Sequence, residues 1–139
     1  MSYLLDTDML ISFLRDKHSV AEKIDHVGIE NCYISEVSII ELTYGAFNST
    51  KIDKHLGEVN QVESLFEVIP LYTAVKIYAQ EKVRLKKEEN LIPDFDLAIG
   101  STAVANNMRL VTNNTKHLGR IKGIKIENWR DEKYNEFLP

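Results

Sequence analysis

Asp6, Glu41, Asp96 and the run Thr112-Asn113-Asn114 each fall at or soon after the end of a predicted β-strand. In an open parallel sheet, the loops at the strand C-termini face one crevice, so residues distant in sequence can meet there. Three carboxylates gathered in one crevice repel each other. At a separation of about 4 Å each pair costs roughly 1 to 4 kcal/mol, depending on the local dielectric. A cation seated among them removes that cost. The spacing therefore points to a divalent-metal site and hydrolytic chemistry.

Each residue also has a plainer use. Asp6 leaves an apolar strand and precedes a helix, where an Asp caps free backbone N–H groups; Thr7 or Asp8 capping instead would free it. Ser38-Ile39-Ile40-Glu41 has the spacing of a capping box, in which Glu41 reaches back to the Ser38 backbone. A helix beginning at Ser35 would instead set Glu41 on its second turn among apolar neighbours, where an unpartnered carboxylate is expensive. Asp94 and Asp96 follow Pro93, and both suit the positive end of a helix; capping needs only one of them. Asn113 and Asn114 can make a turn, or one of them can serve as a neutral ligand or phosphate contact. The histidines His18, His26, His55 and His117 show no metal-ligand spacing, and none reads as an obligatory general base. There is no glycine-rich phosphate loop and no His-Glu-x-x-His motif.

The elements that must position these residues alternate. Tyr3-Leu4-Leu5 reads as a buried strand, followed by a helix carrying Leu10, Ile11 and Leu14, and helical spacing continues through Val20, Ile24 and Val27. Cys32-Tyr33-Ile34 is a second strand, and Ser35 or Ser38 opens a helix along Ile40, Tyr44 and Phe47. Ile52, Leu56 and Val59 mark a further helix, and Phe66 to Leu71 a third strand. A long helix is expected from Thr73 to about Glu89, and a small-residue helix from Leu97 to Ala105, whose Ala98, Gly100, Ser101 and Ala103 let it lie close to the sheet. Arg109 to Thr112 is a fourth strand and Ile124 to Glu127 a fifth. Such alternation implies a parallel sheet of four to five strands covered on both faces, a three-layer α/β/α sandwich.

The bulk numbers agree with one domain. At 139 residues and 44% hydrophobic the chain can bury a real core. We expect a single domain over residues 1–129 and a C-terminal extension, 130–139, to which no role is assigned. No apolar run is long enough to span a bilayer, no charged-then-apolar leader precedes Tyr3, and Cys32 stands alone. A cytoplasmic protein without an internal disulfide or membrane segment is expected. A net charge of −4 argues against loose whole-surface binding of nucleic acid. Residues 97 to 126 nevertheless lack Asp and Glu while carrying Arg109, Lys116, His117, Arg120, Lys122 and Lys125, which is either a local basic face or an ordinary solvated loop region. Arg84, Lys86 and Lys87 beside Glu88 and Glu89 read as a solvated helix face.

Taken together, these segments resemble PIN-domain nucleases. Leu4-Leu5-Asp6-Thr7-Asp8-Met9-Leu10-Ile11 is similar to their opening motif. Ile34-Ser35 through Ser38-Ile39-Ile40-Glu41-Leu42-Thr43-Tyr44-Gly45-Ala46 is similar to the second, and Pro93 to Ile99, with Asp96, to the third. Leu110-Val111-Thr112-Asn113-Asn114 is similar to the fourth, and Ile121 through Asn128-Trp129 to the closing segment. The likeness is strongest to the VapC toxins of toxin–antitoxin pairs. It implies an endoribonuclease dependent on Mg²⁺ or Mn²⁺, with RNA hydrolysed by a metal-activated water. It also implies a homodimer and inhibition by a small VapB-type antitoxin. Asp6, Glu41 and Asp96 would then hold the metal, Asn114 would complete the catalytic set, and Thr7, Ser38, Thr112 and Asn113 would contact substrate. Asn114 stands where many PIN domains carry Asp, Asp8 where Asn is often found, and Lys116-His117-Leu118 where an acid followed by an aromatic is common.

Two rival readings stand beside this one. Asp6-Thr7-Asp8 also resembles the nucleophile and general acid of haloacid dehalogenase-like phosphatases, but no suitable acidic pair follows Thr112. A PIN-like module that only binds RNA or a partner would be the reading for which Asn114 speaks. For the dimer, Tyr44, Phe47 and the apolar residues beyond Ser49 offer more hydrophobic surface than one thin sheet needs; core packing is the alternative use.

Overall fold

The computed structural model describes residues 1–130 of the chain. Its strands are β1 (Tyr3–Leu5), β2 (Cys32–Ser35), β3 (Glu67–Ile69), β4 (Arg109–Val111) and β5 (Ile126–Glu127), joined through α1 (Thr7–Leu14), α2 (Val20–Val27), α3 (Glu36–Phe47), α4 (Ile52–Leu65), α5 (Val75–Lys87), α6 (Asp94–Ala105) and α7 (Thr115–Leu118). Short 3₁₀ turns, Ile29–Asn31 and Leu71–Ala74, lead into β2 and α5. The five strands form one parallel sheet in the order β3-β2-β1-β4-β5.

Strand side chains alternate between faces with period two, and here both faces are apolar. Leu4 and its register partner Leu110 sit on one face with Leu85 of α5, Leu97 and Ile99 of α6 and Leu118 of α7. Leu5, Ile34 and Val111 sit on the other with Met9 and Leu10 of α1, Val20 and Ile24 of α2 and Val62 of α4. That arrangement is the three-layer α/β/α sandwich. Near-continuous apolar strands are what a sheet covered on both faces requires.

Several boundaries differ from the sequence-based expectation. The run expected as one helix from Thr73 begins with the Leu71–Ala74 turn, which follows extended Pro70, and becomes α-helical only at Val75. The third strand is shorter than Phe66 to Leu71, the fourth stops at Val111, and the fifth keeps only Ile126–Glu127. The small residues of α6 are used at Gly100 towards α7: a Cβ there would lie 2.2 Å from Ile121 Cδ1 and 3.1 Å from Leu118 Cδ2. Buried Trp129 packs against Tyr3 in a tilted arrangement, ring centroids 5.6 Å apart, and Lys23 Nζ donates to the Trp129 carbonyl. Among the described residues, no helix is long and apolar enough to cross a membrane. The expected C-terminal extension lies outside the described residues but for Arg130.

Candidate active site

Sheet order reverses at β1, with β2 on one side and β4 on the other. The loops that leave these strands part here, and ligands of open α/β sheets bind in the resulting crevice. Asp6 is the single residue between β1 and α1. Its backbone N–H donates to the Val111 carbonyl at 3.0 Å, extending the β1–β4 ladder. Its Oδ1 accepts the Met9 N–H at 2.9 Å, so Asp6 is the N-cap of α1. The expectation that Thr7 or Asp8 caps and leaves Asp6 free therefore fails: with no intervening residue, position 6 is where the cap must be. Capping does not exhaust the group, because an ionised carboxylate offers about four acceptor sites and, among the described residues, Met9 and the Thr112 hydroxyl bond it. Burial pushes the Asp6 carboxyl up to about 6, with the Asp8 and Asp96 charges adding to the rise and the Thr112 and Met9 hydrogen bonds opposing it.

Glu41 lies on the second turn of α3. Ser35 is the N-cap, its hydroxyl accepting the Val37 N–H at 3.0 Å, so Ser38 is buried inside the helix and the capping-box reading fails. The Glu41 carboxylate instead reaches α1, where Thr7 Oγ1 donates to its Oε1 at 2.6 Å and lies 3.0 Å from Ser38 Oγ. These hydroxyls tie two helices together at the crevice.

Neither Asp94 nor Asp96 caps α6 through its side chain; Pro93 occupies the N-cap. Asp94 turns towards α5, accepting from Lys82 at 2.9 Å and Tyr78 at 3.0 Å, and Lys82 holds its carboxyl below the usual range. Asp96 turns the other way, into the crevice, where burial raises its carboxyl. Asn114 Nδ2 donates to Asp96 Oδ2 at 3.2 Å. The Asn114 backbone N–H bonds Thr112 Oγ1 at 2.9 Å, while Asn113 Oδ1 accepts from Asn128 at 3.0 Å.

One cleft of about 230 Å³ gathers Asp6, Thr7, Asp8, Glu41, Asp96 and Asn114 over apolar Ile11, Ile99 and Leu118. Of the other residues singled out in the sequence, Ser38 and Thr112 stand behind this lining as hydrogen-bond partners, and Asn113 faces away towards Asn128. A larger groove of about 550 Å³ adjoins it between α1, α3 and α4, and Ile11 and Glu41 line both. All the charged donors of the cleft are carboxylate oxygens, which is hard-cation chemistry. Among the described residues no three His, Cys, Asp or Glu side chains close into a ready-made cage. Mg²⁺ needs none, since it takes one or two carboxylates and keeps several waters. The donor set fits a hydrated divalent ion, which Asp6 and Asp96 could hold.

Two participants escaped the sequence reading. His117 Nδ1 lies 3.4 Å from Asn114 Nδ2 and 3.7 Å from Asp96 Oδ2, although no ligand spacing flags it. Its signals in the sequence were its place in the Lys116-His117-Leu118 departure and its position three residues after Asn114, one turn away if that segment is helical. Arg84, expected on a solvated face, grips Glu81 through two bonds of 2.8 Å and the Arg120 carbonyl at 2.7 Å. Glu81 in turn accepts the Lys122 N–H at 2.6 Å, fixing the loop behind α7.

Residues 3–124 match the family described as PIN domain. The chain is 32% identical over 133 residues to "Ribonuclease VapC2" of Rickettsia felis, covering 93% of this chain and 98% of the relative. It is 28% identical over 130 residues to "tRNA(fMet)-specific endonuclease VapC" of Salmonella typhimurium, with the same coverage of 93% and 98%. The crystal structure of VapBC2 from Rickettsia felis bound to a promoter DNA fragment superposes with a TM-score of 0.85 at 28% identity, over 93% of this chain and 99% of that one. The DNA-bound VapBC structure from Salmonella typhimurium gives 0.86 at 26% identity, over 93% and 98%.

Proposed function

The chain belongs to the PIN domain family, and from that premise we propose that it is a VapC-type toxin: a divalent-metal-dependent endoribonuclease that hydrolyses RNA phosphodiester bonds. The observation that carries this reading is the single cleft lined by Asp6, Glu41, Asp96 and Asn114, from four separate stretches of chain. The phosphatase alternative falls with the family.

Asp6 and Asp96 would hold the cation, and their crowding favours one: each carboxyl is raised by burial, and each is raised further by charge from neighbouring carboxylates. Bound there, Mg²⁺ or Mn²⁺ supplies charge neutralisation and Lewis-acid activation of water. Glu41 completes the anionic wall, fixed by Thr7 so that its charge stays at the mouth of the cleft. Asn114 donates to Asp96 and orients it. Asn114 in place of an acid also motivates a non-catalytic reading, in which RNA binds without being cut.

A small VapB-type antitoxin is the proposed partner, in line with the toxin–antitoxin complexes that the chain superposes on. Cleavage of RNA in Mg²⁺, in Mn²⁺ and in chelator tests the reading. Products with 5′-phosphate and 3′-hydroxyl ends are expected, formed only with metal. Ends carrying 2′,3′-cyclic phosphate would overturn the hydrolytic mechanism by making the 2′-hydroxyl the nucleophile, and intact RNA in every condition would favour the binding module.

A further inference from the structure

We propose that His117 is a positioning residue of the cleft: its Nδ1 accepts a hydrogen bond from the Asn114 amide and so fixes that amide as the donor that orients Asp96. The inference rests on the metal-dependent reading above. Asn114 Nδ2 carries two N–H groups and stands 3.2 Å from Asp96 Oδ2 and 3.4 Å from His117 Nδ1. In the neutral tautomer with its hydrogen on Nε2, Nδ1 accepts from this amide, and its 3.7 Å separation from Asp96 Oδ2 is too long for a competing hydrogen bond.

The second acceptor matters once a cation is present. A cation held by Asp96 draws on the charge that attracts the amide N–H, and it attracts the amide oxygen. Asp96 alone would then let Asn114 turn over. His117 opposes the turn, because the flipped amide would set its oxygen against the Nδ1 lone pair. Asp96 Oδ2 remains engaged by Asn114, and no hydrogen bond among the described residues uses Oδ1, which is left for the cation.

The ring holds no place in the core. Its side chain is 37% exposed, and it rides on the four-residue α7, whose one turn brings positions 114 and 117 to the same side. Removing the imidazole leaves no cavity, so its effect can be read at the metal.

The test is Mn²⁺ binding, followed by the electron paramagnetic resonance of free Mn²⁺, for wild type, His117→Ala and His117→Asn. Melting in chelator is recorded for each. His117→Ala is expected to bind Mn²⁺ about tenfold more weakly, the usual cost of losing a group that orients a ligand, with an unchanged melt in chelator. His117→Asn is expected to recover most of the affinity, because its Oδ1 stands where Nδ1 does and accepts the same amide. Wild-type affinity in His117→Ala overturns the inference. Equal losses in Ala and Asn overturn it too, and make the ring a direct ligand. Absence of saturable Mn²⁺ binding by the wild type overturns the metal-dependent reading itself, and this inference with it.

Discussion

Asp6 serves two purposes with one carboxylate, and they pull its ionisation in opposite directions. Capping α1 favours the charged form, whereas burial beside Asp8 and Asp96 disfavours it and wins, leaving the group at about 6 instead of 3.8. A raised carboxyl binds its proton more tightly in the folded state, so apo stability falls as pH climbs from about 4 through 6. The loss is complete above 6 and amounts to about 3 kcal/mol. Asn caps nearly as well as Asp and has no charge to bury. Asp6→Asn should therefore melt higher than wild type in chelator at pH 7.5, with the gap closing as pH is lowered to 4. A gap that persists at pH 4 would show that charge burial is not its cause. Metal reverses the comparison. Mg²⁺ should raise the melting temperature of the wild type by mass action and that of Asp6→Asn or Asp96→Asn much less; equal gains in all three would remove the metal from this cleft. The position of Asp6 was legible from an apolar strand ending in Asp, but its double use was not. The choice between Asp94 and Asp96 was equally hidden, since Lys82 and Tyr78 on another helix make it.

At the level of elements, long periodic segments were legible and single turns were not. The stripes of α1, α3 and α5 announce themselves in sequence, while α7 has four residues and no period to detect. Yet α7 carries Asn114 at its N-cap and His117 on its turn, so its placement decides part of the site. Behind it, the buried Glu81 carboxylate bonds the Lys122 N–H and is held by Arg84, whose hydrogen bonds pull its carboxyl below the usual range. A depressed carboxyl stabilises the fold above its unfolded value, and that contribution is lost as pH falls through the folded one. Arg84→Ala should accordingly lower stability by about 2 kcal/mol near neutrality, the typical worth of a charged hydrogen bond, and flatten the acid side of the stability profile. Denaturant melts from pH 3 to 7 check both effects; an unchanged acid limb would mean that Glu81 is held by Lys122 alone.

For the whole molecule, α3 leaves Ile40, Tyr44 and Phe47 in solvent, 51%, 69% and 62% exposed, along a stripe of spacing i, i+4, i+7. Core packing claims Val59 and Val62 of α4, 6% and 0% exposed, but not this stripe of α3. A second copy of the chain is the proposed cover: sedimentation at micromolar concentration should give a dimer, and Tyr44→Arg with Phe47→Arg a monomer of unchanged fold. A monomeric wild type would refute this. Sheet order carries a consequence in time. Central β1 pairs with β4, joining residues 3–5 to 109–111, so the two sides of the cleft are supplied by stretches far apart in the chain. Synthesis at roughly 5–20 residues per second leaves Asp6 and Glu41 waiting several seconds for the strand that completes their crevice. A nascent chain, or one released early, carries most of the acids and none of the assembled site. Assembly of the cleft therefore waits until β4 has been made.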